Sequence, residues 1–462
     1  MTSARRLDHN FALDRAVEWC EGLGLPLVIF EPLRLGYRWS SERMHRFVIE
    51  GMRDNGLAAA AAGVTYFPYV EPSRGAGRGL LKTLADRAAV VISDEFPAFF
   101  LPRMLDAAAA KLGVLLESVD SNGIVPLRSP ERIFTTAASF RRHLQKTISP
   151  FLEQWPESLP LQEEVLRGAD LPSLSGWAMW DYSNPDTPLE LDFEAPVPAV
   201  SDVSGGSSAA AAQLRLFFDG RFERYDKDRN RVDDGAASGL SPYLHFGHIS
   251  AHEIVRKTLE LGGFEFDRVA PKSTGSRAGW WGCSPAAESF LDELITWREL
   301  GFNRSFMEPD SYADFSSLPA WARQSMDVHR DDPRDAIYSM EQFELSQTHD
   351  EIWNAAQREL VETGRMHNYL RMLWGKMIYA WSASPEDALE VMVHLNNKYA
   401  LDGRDPNSYS GIFWTMGRYD RAWGPERPVF GKLRYMTSKS TRNKINLKRY
   451  LARFGPPPPL FA

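Results

Sequence analysis

Apolar and polar residues follow two different rhythms along this chain, and the change between them divides it. In the first part, short apolar runs recur between amphipathic stretches: LPLVIF (25–30), GVTYFPYV (63–70), AAVVIS (88–93) and GVLLESVD (113–120). Runs of that length separated by helix-like segments predict βαβ units around a parallel sheet. From Gln213 onward the apolar positions recur at helical spacing, as in SFLDELITWREL (289–300) and MHNYLRMLWGKMIYAW (366–381), and strand-like runs are scarce. That period predicts helices. Between the two, residues 184–212 are rich in Pro, Gly, Ser and Ala with scattered acids, the composition of a linker. The expected organisation is an α/β domain over 1–130, a connector over 131–212 and a helical domain over 213–462.

Composition adds bounds. At 462 residues the chain exceeds the ~250–300 at which one core stops growing, so at least two domains are expected. Its net charge of −8 argues against a protein that coats nucleic acid nonspecifically. The distribution of charge changes that picture, because Arg427 and everything after it contain no acid, while Lys432, Arg434, Lys439, Arg442, Lys444, Lys448, Arg449 and Arg453 are basic. Such a stripe suits contact with a phosphate backbone; a solvated face balanced by acids elsewhere is the alternative. Cys20 and Cys283 lie far apart in no metal-binding spacing, which argues against a disulfide framework or a zinc site. No apolar run is long enough to span a membrane and no signal pattern opens the chain. A cytoplasmic monomer with no metal is expected.

The run 401–436 keeps neither the helical nor the strand period, yet it gathers Asp402, Arg404, Asp405, Asn407, Trp414, Asp420, Arg421 and Trp423. That composition suits a pocket wall for a polar, flat, anionic ligand. Taken with SGLSPYLHFGHIS (238–250), ELITWREL (293–300), HDEIWNAAQREL (349–360) and GRMHNYLRMLWGKMIYAW (364–381), it resembles the photolyase/cryptochrome family, most closely the class II cyclobutane pyrimidine dimer photolyases. The resemblance is specific over residues 225–440 and looser before them. It implies an α/β Rossmann-like N-terminal domain plus an all-α C-terminal FAD-binding domain. There is no GxGxxG, so the α/β domain is not read as a dinucleotide site. In the family it can hold an antenna chromophore, a deazaflavin or methenyl-tetrahydrofolate, and the sequence does not choose. The family's first strand should stand just before ARRLDHNFALDRAVEW (4–19), but the chain starts at Met1. Either that methionine is internal or the sheet lacks a strand and has an open edge.

The resemblance assigns roles residue by residue. Ser238, Gly239, Leu240 and Ser241 match the loop at the FAD diphosphate, where small residues and a helix starting at Pro242 let N–H groups approach phosphate. Tyr225 matches a tyrosine near the cofactor's phosphate or ribose. Arg371 and Asp402 resemble the pair against the isoalloxazine, with Arg298 and Arg404 in the same wall; a salt bridge joining two helices would use the same two residues. Asn396 matches the asparagine near flavin N5, where an amide favours the fully reduced state, and Asn407 is the fallback unless it only forms a turn. Trp374, Trp353 and Trp381 match the tryptophans that carry electrons to the flavin. Trp374 and Trp381 lie seven apart on one helix, about 10 Å along its axis.

Glu293 and Trp297, at i and i+4 of a helix, match the pair that bonds and stacks on the lesion, with Trp414 as the opposite wall. Asp420, Arg421 and Trp423 resemble the loop entering the DNA bubble, and Lys432 belongs to the basic exit. The spacing from Trp414 to Asp420 is one residue shorter than in class II sequences, with MGRYD where GGVHD is common, which predicts a reshaped loop. The implied activity is light-driven repair of cyclobutane pyrimidine dimers: reduced FAD donates an electron to a flipped-out dimer in DNA, the ring splits and the electron returns. A cryptochrome-like photoreceptor is the rival. Glu293, Trp297, Trp414, the basic stripe and the lack of a long extension after Phe461 count against it.

Overall fold

The computed structural model of the chain describes residues 1–184, 187–233 and 235–456, so Pro185 and Asp186 of the expected linker, and Phe461, lie outside the described residues. Two compact units emerge, each built from three stretches of chain. The first comprises Met1–Glu131, Leu144–Leu216 and Gly239–Phe264; the second comprises Arg132–His143, Phe217–Ser238 and everything from Glu265. The units do not divide at 130 and 212, because both exchange segments across those positions.

All four apolar runs of the first unit become strands: β1 (Val28–Leu33), β2 (Thr65–Val70), β3 (Val90–Glu95) and β4 (Leu115–Asp120). β1 pairs in parallel with β2 and β3 with β4, as two separate two-stranded sheets. The first residues of the chain bond to both strand pairs. The Met1 amine donates to the Phe30 carbonyl on β1 at 2.7 Å, and the Thr2, Ser3 and Ala4 amides donate to the Asp94 carboxylate on β3. Helix α1 (Phe11–Leu23) is capped by the Asn10 side chain and α2 (Glu42–Ala62) by that of Ser41.

The residues read as a linker are not a free tether. Leu189 and Leu191 pack against the cluster of Leu33, Val48, Ile49, Met52 and Val70, and Ala195, Val197 and Val203 are buried. At Gly205 a Cβ would meet the Phe47 carbonyl oxygen at 1.8 Å. Small residues in this stretch therefore permit close backbone approach, which composition cannot distinguish from flexibility.

The second unit is helical. Its named helices are α3 (Arg298–Met307), α4 (Glu351–Thr363), α5 (Asn368–Trp381), α6 (Pro385–Tyr399) and α7 (Pro406–Thr415). Asp350, Ser384 and Asp405 cap α4, α6 and α7, the last two with proline opening the first turn. α3 and α7 touch at Gly301, where a Cβ would meet the Ser410 hydroxyl at 2.6 Å and the Pro406 carbonyl at 2.7 Å. α5 meets α6 and α7 at Gly375, where a Cβ would lie 2.8 Å from Thr415 and 3.1 Å from the Met392 sulfur. Among the described residues, no helix is long and apolar enough to cross a membrane.

Candidate active site

The second unit carries nearly every residue singled out above. Asp292–Trp297 forms a π-helix where a continuous α-helix was expected, between the α-helix Pro285–Leu291 and α3. Such wide turns inside a helix are frequent at functional sites. Asp292, Leu294, Ile295 and Thr296 are buried, whereas Glu293 and Trp297 remain partly open. The turn therefore offers a carboxyl group and an indole together. Asp292 anchors it through Arg141, whose Nε and Nη2 donate to the carboxylate at 2.7 and 3.0 Å. Glu293 accepts from Arg229, a partner that the sequence hid within the polar run RYDKDRN. Burial pushes the Glu293 carboxyl up and Arg229 opposes that shift. Arg229 also bonds the Tyr225 hydroxyl, and Tyr225 is buried against Phe217 and Phe290 rather than lying exposed on a loop.

Trp414 stands at the end of α7, half-buried, with two cations near its ring. The Lys376 ammonium lies 5.7 Å and the Arg434 guanidinium 5.3 Å from its ring centre. Arg434 also stacks on Trp423 at 4.1 Å and donates to both Asp420 oxygens, at 2.9 and 3.2 Å. Asp420 takes a further bond from the Trp423 indole at 3.1 Å. Its carboxylate therefore organises the loop from within, and the exposed positions are Arg421, stacked on Trp423 at 4.6 Å, and Lys432, paired with Glu426 at 3.1 Å. Between Trp414 and Asp420 the backbone turns through Gly417 at φ 101° and Tyr419 at φ 63°. Of the basic stripe, Arg442 pairs with Glu351 at 2.9 Å, while Lys439, Lys444, Lys448 and Arg449 point outward.

Arg371 reaches Asp402 through Nη2 at 3.0 Å, which leaves its Nε and Nη1 without a bond among the described residues. Asn396 is buried, and its Nδ2 donates to the Ser408 hydroxyl at 2.7 Å. Arg404 is buried at φ 67°, its amide bonded to Asn397 at 2.8 Å. Asn407 is exposed, and its amide donates to the capping Asp405 at 2.8 Å, so it plays the turn role. Arg298 is buried over Phe302. In the first unit, Gly239 takes φ 71°, Leu240 is buried, and Ser241 opens the short helix Ser241–Phe246 with Pro242 in its first turn. Ser238 closes a stretch of the second unit.

Trp353, Trp374 and Trp381 are all buried. The Trp374 indole donates to Gln357 at 2.8 Å, and the Trp353 indole donates to the Trp374 carbonyl at 3.0 Å. Trp353 and Trp381 have ring centres 6.2 Å apart, and Trp381 meets the exposed His349 at 4.8 Å. Trp353, on the neighbouring helix α4, thus touches both Trp374, through its backbone carbonyl, and Trp381, through its ring. In the first unit, Asp8, His9 and Glu253 hold possible metal-ligating atoms within 4.8 Å of one another, but Arg256 already sits 3.0 Å from the His9 ring nitrogen.

No protein-family model matches the chain. It is 32% identical to the deoxyribodipyrimidine photo-lyase of Methanothermobacter thermautotrophicus, over 98% of this chain and 93% of that one. The enzyme of the same name from rice, Oryza sativa subsp. japonica, is also 32% identical, over 98% of this chain and 86% of its own. Among solved structures, a class III photolyase from Agrobacterium tumefaciens superposes with a TM-score of 0.67 at 18% identity, covering 92% of this chain and 82% of its own. An archaeal photolyase from Sulfolobus tokodaii, solved with two FAD molecules, gives 0.62 at 15% identity, covering 93% and 86%.

Proposed function

The chain belongs to the photolyase/cryptochrome family, and from that premise we propose that it is a deoxyribodipyrimidine photo-lyase of the class II kind, repairing cyclobutane pyrimidine dimers in DNA with light. The observation that carries this reading is the π-turn, which leaves a carboxyl group and an indole open in an otherwise buried segment. The two parallel strand pairs of the first unit are read as its Rossmann-like domain.

The residues present fit FAD by the chemistry of their donors. Arg371, braced by Asp402, keeps guanidinium N–H groups for an anionic flat ring, and Asn396 offers an amide fixed by Ser408. Bound FAD supplies a photo-excitable electron carrier. Tyr225, Arg298 and Arg404 complete the wall in this reading, and the diphosphate roles of Ser238, Gly239, Leu240 and Ser241 rest on the resemblance. Trp297 and Trp414 offer aromatic faces to a flipped-out dimer, whose impaired stacking lowers the cost of extrusion. Glu293 bonds a pyrimidine carbonyl or imino N–H; a carboxyl group whose proton is held more firmly than usual can donate as well as accept. Arg421 fills the gap left in the duplex, and Lys432 and the outward lysines contact phosphate. Trp374, Trp353 and Trp381 link the cofactor's side of the unit to the surface.

Blue-light irradiation of the FAD-loaded protein with a dimer-containing oligonucleotide should return the dimer to two pyrimidines. Protein that reduces its flavin in light yet leaves dimers intact is a photoreceptor, and that result sinks the repair reading.

A further inference from the structure

Among the largest fully buried side chains of the described residues, Lys376 is the only one that carries a charge. It lies two positions after Trp374 on α5, so the two side chains leave the helix on nearly opposite sides. Trp374 faces Gln357 on α4. Lys376 faces α7, where its ammonium donates to the Thr415 carbonyl at 2.5 Å and lies 5.7 Å from the Trp414 ring centre. Burial pushes its pKa down to about 7, with Asp420 favouring the charge and Arg434 opposing it. The carbonyl end of α7 favours the cation, but an apolar side chain of the same length would fill the space without desolvating a charge.

The two sets of tryptophans sit in opposite electrostatic surroundings. Trp414 has a cation at 5.7 Å and another at 5.3 Å. Among the described residues no cation stacks on Trp353, Trp374 or Trp381, and the indole N–H groups of Trp353 and Trp374 donate to oxygen acceptors that ease the loss of an electron. We propose that Lys376 is a positioning residue for electron flow: its ammonium, close to the Trp414 ring, makes removing an electron from that indole harder than from Trp374, Trp353 or Trp381. The wall that stacks on the lesion stays reduced while the conduit delivers electrons. This rests on the reading of Trp414 as the lesion wall and of the other three as the conduit. In the suppressed step one electron leaves the Trp414 indole for an oxidant that is reduced by one electron, and the indole N–H proton then passes to water. A positive charge close to the ring raises the energy of the intermediate cation.

The test uses the azidyl radical, generated in the dark by pulse radiolysis on the FAD-loaded protein; it takes one electron from an indole and becomes azide. Peptide mass spectrometry then reads the fraction of each tryptophan that has gained oxygen. Lys376→Met should raise the oxidised fraction of Trp414 about tenfold while leaving Trp374 and Trp381 unchanged. In the wild type, Trp414 oxidation should climb from about pH 6 to 8.5 as the ammonium loses its proton, and in Lys376→Met that climb should vanish. Equal Trp414 oxidation in both proteins overturns the proposal. If the variant does not fold, a flat wild-type pH profile overturns it. The wall reading is checked separately by dimer-DNA binding of Trp414→Ala, so a failure there is distinguishable from a failure of Lys376 to act.

Discussion

Two glutamates, one in each unit, are both held by an arginine, and the difference between them separates structure from chemistry. Glu31 is fully buried on β1 and accepts from Arg5 at 3.0 Å, Asn55 at 2.9 Å and Tyr66 at 2.7 Å. Both its oxygens are engaged by the fold. Glu293 sits on the π-turn with Arg229 as its partner and stays partly open. A carboxylate saturated by its own protein has nothing left to offer a ligand, whereas one with a single arginine is restrained but can still form a new bond. Asp94, bonded by the amides of residues 2–4, belongs with Glu31.

The comparison breaks if the saturated group proves dispensable. Glu31→Ala strands a buried guanidinium and should remove about 3–5 kcal/mol of stability, read as the shift of a denaturant midpoint. The next largest effect is acid sensitivity. The Asp94 carboxyl is held well below its ordinary range; burial works against this, but the Met1 amine and the bonds from Ser3 and Ala4 prevail. Its stabilisation is complete above the unfolded pKa near 4 and is lost as pH falls below it. A contribution on the order of 2–3 kcal/mol should therefore fade below about pH 4, and Asp94→Asn should flatten that limb of the stability curve. Glu293→Ala sharpens the contrast from the other side. It should change stability by under about 1 kcal/mol while lowering the quantum yield of dimer splitting more than it lowers DNA affinity. An unchanged yield with weakened binding would make Glu293 only a binding group. Smallest is Lys432→Ala, which should reduce the log–log salt slope of dimer-DNA binding by about 0.9 for the one phosphate contact it removes.

Much of this was legible before any coordinates. Four apolar runs became strands, and the Ser-Pro pair at 241–242 became a helix start, because hydrophobic spacing and a proline in the first turn are local properties. The π-turn was not legible, since ELITW has the same apolar spacing in an α-helix as in a wider one. Arg229 was missed because a buried ion pair and a solvated charge look alike in RYDKDRN. Lys376 left a signal that could have been used, a lone cation inside the apolar run LWGKMIYAW. How Trp353 meets the other two tryptophans was not legible, because it depends on how α4 packs beside α5.

The interleaving of the two units bears on how the protein is made. Arg141 finds its partner in Asp292, 151 residues later, and the Arg132 carbonyl waits for Asn303, 171 residues later. At about 5–20 residues per second, that is a delay on the order of ten seconds or more on the ribosome. The first unit is likewise incomplete until Phe264 has been synthesised. Neither unit exists as a contiguous product of translation, so a chain stopped at residue 130 or 212 leaves fragments with unmatched surfaces rather than a free-standing half.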